Sequence, residues 1–398
     1  MNDTSMSTAK SMRQAQRPGS NTAVLGSRAV RQVLPLTAAL LITATSFQVL
    51  SSVFLTPGNL VNLLTESSPL ALVAVASCIM IIMGEIDLSL GSVAGLSAAI
   101  AASLMSHGMP WLPAILITLI AAAAIGLVHG GLVVIAGIRS FVVTLAGFLV
   151  CYGLQQRVLQ PSGYISAASP MVTDLAIMRI PMWLSLGVVI AIGVSSLAAA
   201  LLLRDPFKSN LDNRRVPVGV VRVVLPMTMA TLAVLYLSDG GGIPVLTGIV
   251  LLITGLVWYL LKKTAGGRHL YAIGANVRAA QECGIRVSMI RWFGFGATSL
   301  LAGLAGISLL AYTGGADNTT GTGTLLLAAI GAAVVGGISL SGGRGSVWGG
   351  LAGALLLGAV QNGLNLLNLS SDMVYVVEGS VVVGALLVDA LLRRGDLR

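Results

Sequence analysis

The chain has 398 residues, 56% of them hydrophobic and only 9% charged, with a mean hydropathy of +0.92. Soluble domains carry about 25% charged residues, so this composition excludes an ordinary water-soluble fold and specifies a polytopic membrane protein. The formal net charge of +9 would point to a polyanionic partner in a soluble protein, but here the basic residues follow topology, and no nucleic acid is implied.

Residues 1–28 are polar and lack an early apolar core, so they read as a disordered cytoplasmic tail and not as a signal peptide. Apolar runs of membrane-spanning length then predict helices near 30–53, 66–83, 88–106, 112–136, 141–159, 181–203, 218–237, 244–261, 292–312, 324–340, 346–368 and 372–392. Lipid offers backbone amides no partner, so the expected fold is an all-α transmembrane bundle over 29–394, some segments of which could be broken or re-entrant. With the N-terminus inside, 21 of the 23 Lys and Arg fall in cytoplasmic stretches, and Arg157 and Arg179 are the exceptions. Asp174, Asp239, Asp317 and Asp372 fall in external loops. This asymmetry places both termini and the long loop 262–291 in the cytoplasm. The 48 glycines suit close helix packing in lipid. Cys78, Cys151 and Cys283 show no disulfide or metal spacing.

Residues 83–92, MGEIDLSLGS, interrupt an apolar run with two acids, Glu85 and Asp87. An ionised acid at the bilayer centre costs roughly 2.5–3.5 kcal/mol, so both must face protein or water. Either this is a capped turn, or it is a broken helix shaping the pathway or its gate. Asp87 or Ser89 can cap the helix that continues through Gly91 and Ser92.

In the basic loop, Asn276 is placed to cap a helix of about two turns, with Gly284 at its stop. So short a helix needs a partner, or the rest of the loop, to hold it. Farther on, Gly336-Gly337 and Gly342-Gly343 bracket a tight turn around Arg344. Gly345, Gly349 and Gly353 recur every four residues, a stripe for close backbone contact. Beyond it Gln361, Asn365 and Asn368 share a face, with Asn362 beside them. Such amides suit either a hydroxyl-rich solute or interhelical bonding.

In this order "EIDLSLGS", "SFVVTLAG", "GRHLYAIGANVRAAQECGIRV" and "VVGGISLSGGRGS" resemble the permease subunits of bacterial ATP-binding-cassette sugar importers, in the ribose and xylose group. The resemblance runs from about residue 57 to 394 and leans toward D-xylose permeases, through Glu85, an extra stretch around 204–243 and the C-terminal "VEGSVVVGALLVDALLRR". It implies an inner-membrane permease that forms a homodimer with the pathway along the interface of the two copies, a periplasmic sugar-binding protein outside and a separate cytoplasmic ATPase. That ATPase would engage Asn276, Arg278, Ala279, Ala280 and Gly284, the two alanines letting its groove approach closely. Glu85, Asp87, Ser89, Gly91 and Ser92 would form the gate or pathway motif, and Gln361, Asn362 and Asn365 would face solute. The chain departs from the family pattern at Arg278 (usually glutamate), at Leu326 and Ala328 (usually acids) and at Arg139 (usually proline).

The sequence contains no G-x-x-x-x-G-K-[ST] loop, so ATP is expected on the partner subunit and no cofactor on this chain. No catalytic residues are expected, since His107, His129 and His269 are scattered and no nucleophile motif occurs. The alternative is an ion-coupled secondary sugar transporter with Glu66, Glu85, Asp87 or Glu378 as intramembrane proton carriers.

Overall fold

A computed structural model describes residues 21–167, 169–202 and 215–394. The first 20 residues of the expected tail, and 203–214 of the extra stretch, lie outside the described residues. The helices are α1 (Asn21–Ser51), α2 (Pro57–Met83), α3 (Leu90–Ser106), α4 (Trp111–Val134), α5 (Ser140–Val158), α6 (Pro170–Ile177), α7 (Met182–Leu202) and α8 (Arg215–Ser238). They continue with α9 (Val245–Lys263), α10 (Ala265–Ala275), α11 (Val277–Glu282), α12 (Val287–Thr313), α13 (Gly323–Val335), α14 (Val347–Leu366) and α15 (Ser371–Arg394). Helix α1 therefore begins at Asn21, inside the stretch expected to be tail. Each of the twelve apolar runs meets a helix, and the fold is a polytopic helical membrane bundle. Among the described residues six helices, α2, α4, α5, α9, α12 and α14, are long and apolar enough to cross a membrane.

Helices α2 and α3 form the centre. Every residue of α2 from Ser67 to Met83 is buried, as is most of α3. Helices that are apolar on every side belong in such a position. Pro57 opens α2, and Gly84 ends it at φ +82°, the left-handed conformation glycine adopts without strain. Around this centre, α4 lies along α12 through small residues at four-residue spacing, Ala114, Thr118, Ala122, Gly126 and Gly130. Helix α14 meets α13 where Gly353 packs on the Ala332 carbonyl and Gly349 on Gly336. Gly345, expected in this stripe, precedes the helix and belongs instead to the turn, at φ +132°.

The loops holding Arg139, Lys262, Arg268 and Arg344 gather at one end, the basic end, where 84–89, 264–286 and 336–346 meet. The opposite, far end carries two short antiparallel pairs. There β1 (Tyr164–Ser166) joins β4 (Gly315–Asp317), and β2 (Arg179–Ile180) joins β3 (Ile243–Pro244).

Helix α13 is shorter than the expected 324–340 segment. Its 13 residues rise about 20 Å, against about 30 Å for a hydrocarbon core. The chain before it dips into the bundle and packs on α3: a Cβ on Gly91 would meet Gly321 O at 3.1 Å, and one on Gly95 would meet the Thr320 carbonyl. Buried Gln155 of α5 donates to both the Asp317 and Thr320 carbonyls, at 2.9 and 2.8 Å. Irregular backbone at such depth is stable only where protein satisfies it, and Gln155 does so. Gly91, read as part of a gate motif, is thus the contact that admits this loop.

Candidate functional site

At the basic end the two acids have different partners. Glu85 is buried, and its Oε1 lies 2.8 Å from Nε of Arg291, at the start of α12. The contact is an ion pair without an aligned N–H donor. Asp87 is buried at 3% exposure, and its Oδ1 accepts from the Ser89 amide at 2.8 Å and the Ser89 hydroxyl at 2.6 Å. Ser89 occupies the N-cap of α3 but makes no side-chain bond to the helix. The capping expected of Asp87 or Ser89 is therefore replaced by a local turn in which Asp87 locks Ser89 in place. Ser92 Oγ donates back to the Ser89 carbonyl at 2.9 Å.

Of the histidines, His129 alone joins this motif among the described residues. His129 of α4 places Nδ1 3.3 Å from Ser89 Oγ, completing a buried Asp87–Ser89–His129 cluster. Helix α5 passes over this imidazole at Gly147, where any Cβ would strike the ring. Thr144 Oγ1, on the same helix, accepts from the Leu88 amide at 3.1 Å. No spacing rule links residues 87, 129 and 144, so only the fold reveals them together.

The basic loop forms the expected short helix. Asn276 Oδ1 accepts from the Ala279 amide at 3.1 Å. At the other end Gly284 (φ +78°) donates to Gln281 O and Ile285 donates to Ala280 O, the paired bonds of a Schellman stop. Arg278 and Ala279 are exposed, whereas Ala280 is buried at 4% in the chain's own core. Ala280 was expected to face a partner's groove. Instead it anchors α11 to this chain and leaves Ala279 and Arg278 on the outer face.

A glycine junction connects α10, the neighbour of α11, to the acidic motif. A Cβ on Gly274 would strike the Ile82 carbonyl and come within 2.6 Å of Gly343 N, and one on Gly342 would meet Gly274 O at 2.6 Å. Gly343 N also donates to Ile82 O at 2.9 Å, and Tyr271 Oη donates to Gly345 O at 2.8 Å. The last turn of α2, the end of α10 and the 336–345 turn thus touch backbone to backbone. Gly336 serves the α13–α14 crossing, and Gly337 supplies a positive φ of 87° to the same turn. At the departures from the family pattern, Leu326 packs near Gly91, Ala328 is partly buried against the core, and Arg139 keeps a proline-like φ of −61°.

At the far end a polar cleft of about 460 Å³ opens between α2, α12 and α14. Asn362 and Asn365 line it; Gln361 does not, and Asn368 lies beyond the end of α14. Both amides donate to Glu66, Asn362 to Oε2 at 3.3 Å and Asn365 to Oε1 at 3.2 Å. Asn59 Nδ2 donates to Asn362 Oδ1 at 2.9 Å and to Phe54 O at 2.8 Å. Glu66 is thus held by neutral amides, and its central place in the cleft was not read from the sequence. Among the described residues no cluster of His, Cys, Asp and Glu is arranged to hold a metal.

Residues 59–386 match the family model described as branched-chain amino acid transport system / permease component. The ribose import permease protein of Escherichia coli is 34% identical over 352 residues, covering 88% of this chain and 91% of the relative. That of Haemophilus influenzae is 31% identical over 354 residues, covering 89% and 92%. The xylose transport system permease protein of Haemophilus influenzae is 33% identical over 347 residues, covering 84% and 90%. Identity therefore does not separate the xylose type from the ribose type. No solved structure matches. With the match spanning most of the bundle, the chain belongs to the branched-chain amino acid transport system / permease component family, in its group of ABC sugar permeases.

Proposed function

We propose that this chain is the membrane-spanning subunit of an ATP-driven bacterial monosaccharide importer, with D-xylose or a similar pentose as its substrate. Two copies would form the pathway, a periplasmic binding protein would deliver sugar at the far end, and a separate ATPase would act at the basic end. The observation that carries this reading is the position of α11. It is capped at both ends, anchored inward by Ala280, exposed at Arg278 and Ala279, and one helix away from the glycine junction behind Glu85 and Asp87. A push on α11 would pass through α10 to the end of α2. Arg278 opposes the positive end of its own helix by about 0.3–1 kcal/mol, so an acidic residue on the ATPase would compensate it.

The test is Gly284→Val. Space around Gly284 is open, so the substitution acts through backbone strain alone, about 1–2 kcal/mol for an L-residue in the left-handed region. Membrane insertion should be normal, while co-purification with the cognate ATPase and sugar-stimulated ATP hydrolysis should fall. Wild-type association and stimulation would remove α11 from the coupling role.

Orientation has a native probe. Cys283, next to α11, is exposed, whereas Cys78 and Cys151 are buried. An impermeant thiol reagent should leave intact cells unlabelled and label an Asp372→Cys variant from outside. Strong external labelling of Cys283 would invert the topology.

A further inference from the structure

We infer that the far-end cleft is a solute site of the permease itself, built around Glu66 to take a neutral polyhydroxylated molecule such as an aldose. This rests on the importer reading and adds a contact that the binding protein would not supply. The cleft presents a carboxylate whose two oxygens each accept one amide N–H. An ionised carboxylate offers about four lone-pair positions, so acceptor capacity remains for hydroxyl donors. Asn62 and Asn365 are exposed on its wall, and an amide both donates to and accepts from a hydroxyl. Tyr312, from the end of α12, also lines the cleft and can lay its ring against the C–H face of a sugar.

The charges argue for a neutral guest. Arg179 reaches the same cleft, but its Nη1 donates to the Ala176 and Met178 carbonyls, at 2.8 and 3.2 Å. It forms no ion pair with Glu66 among the described residues. The carboxylate therefore faces the cleft with only amides against it, and with the Arg179 guanidinium in the same lining the site carries one charge of each sign, so no net charge favours an ionic solute. A branched-chain amino acid, a zwitterion, would offer its ammonium to Glu66, but its apolar side chain would leave the cleft amides without hydroxyl partners. The size of the cleft fits the range of small-molecule sites, roughly 300–1,000 Å³.

The test uses a reporter cysteine at Ile177, an exposed apolar residue of the cleft wall, in a Cys283→Ser background. The full chain is assembled with its ATPase in vesicles, without binding protein. The rate of maleimide reaction at Ile177→Cys is measured with D-ribose, D-xylose, D-ribose 5-phosphate or L-leucine at millimolar concentration. Either pentose should slow labelling severalfold, and the phosphate and leucine should not. Adding Glu66→Gln, which keeps the shape of the side chain, should abolish the protection, and the membrane level of each variant is checked by immunoblot. A second reporter, Leu366→Cys, covers the case in which the first fails to insert. Absence of pentose protection at a correctly inserted reporter, undiminished protection with Glu66→Gln, or equal protection by leucine would overturn the site. ATP-driven sugar uptake with binding protein restored reports the importer reading separately. Uptake without protection rejects the site alone, and loss of all ATP-driven uptake rejects the reading beneath it.

Discussion

Gly274→Val is expected to bring sugar uptake down to background while the protein still reaches the membrane. The side chain would enter a junction with no vacant space, since the Ile82 carbonyl and the Gly343 amide already touch Gly274. Overpacking of a closed core typically costs about 1–3 kcal/mol, and here the neighbours are backbone, which cannot rotate away. The ends of α2 and α10 must therefore separate, breaking the proposed route from α11 to the acidic motif. Gly266→Val, in the same helix, is the control, because its Cβ would meet only Thr264 Oγ1 at 3.8 Å. Radiolabelled uptake, normalised to membrane protein, should be near wild type for Gly266→Val and absent for Gly274→Val. Wild-type uptake by Gly274→Val would show that the three segments need not touch.

The second large effect separates the two acids. Asp87→Ala should reduce uptake at least about tenfold relative to Glu85→Ala, the ratio that a difference of about 1.4 kcal/mol in a barrier produces. Removing Asp87 strands the amide of fully buried Ser89 and leaves its hydroxyl only the longer 3.3 Å contact to His129, and a buried unsatisfied group costs about 1–3 kcal/mol. Removing Glu85 leaves Arg291, whose side chain is 26% exposed and can reach water, so the loss is smaller. Asp87→Asn keeps an acceptor oxygen for Ser89 and should recover much of the uptake. If Asp87→Asn were as damaged as Asp87→Ala, the charge of Asp87, and not its hold on Ser89, would be the essential property.

The parts legible in the sequence were governed by local rules. Asn276 and Gly284 mark the ends of α11 because a cap and a positive-φ stop need only neighbours in the chain. The break after Met83 was legible because two acids cannot continue a lipid-facing helix. Long-range partners were not legible. Arg291 for Glu85, His129 for Ser89 and Glu66 for Asn362 and Asn365 are joined by the fold across long stretches of chain. The inward face of Ala280 was missed because six residues make too few turns for a periodicity to emerge. Likewise, hydropathy could not distinguish the short α13 from a full span, since the turn that follows it, from Gly336 to Leu340, carries no charge.

The energy source separates an ATP-driven importer from an ion-coupled carrier most sharply. Purified permease in liposomes, supplied with its cognate ATPase, the periplasmic sugar-binding protein and radiolabelled pentose, tests it directly. Uptake should require ATP, both partner proteins and an ATPase competent for hydrolysis, and should be indifferent to a protonophore. Uptake that persists without the ATPase and collapses when the proton gradient is dissipated would contradict the account and make Glu66 or the Glu85–Asp87 pair a proton carrier instead.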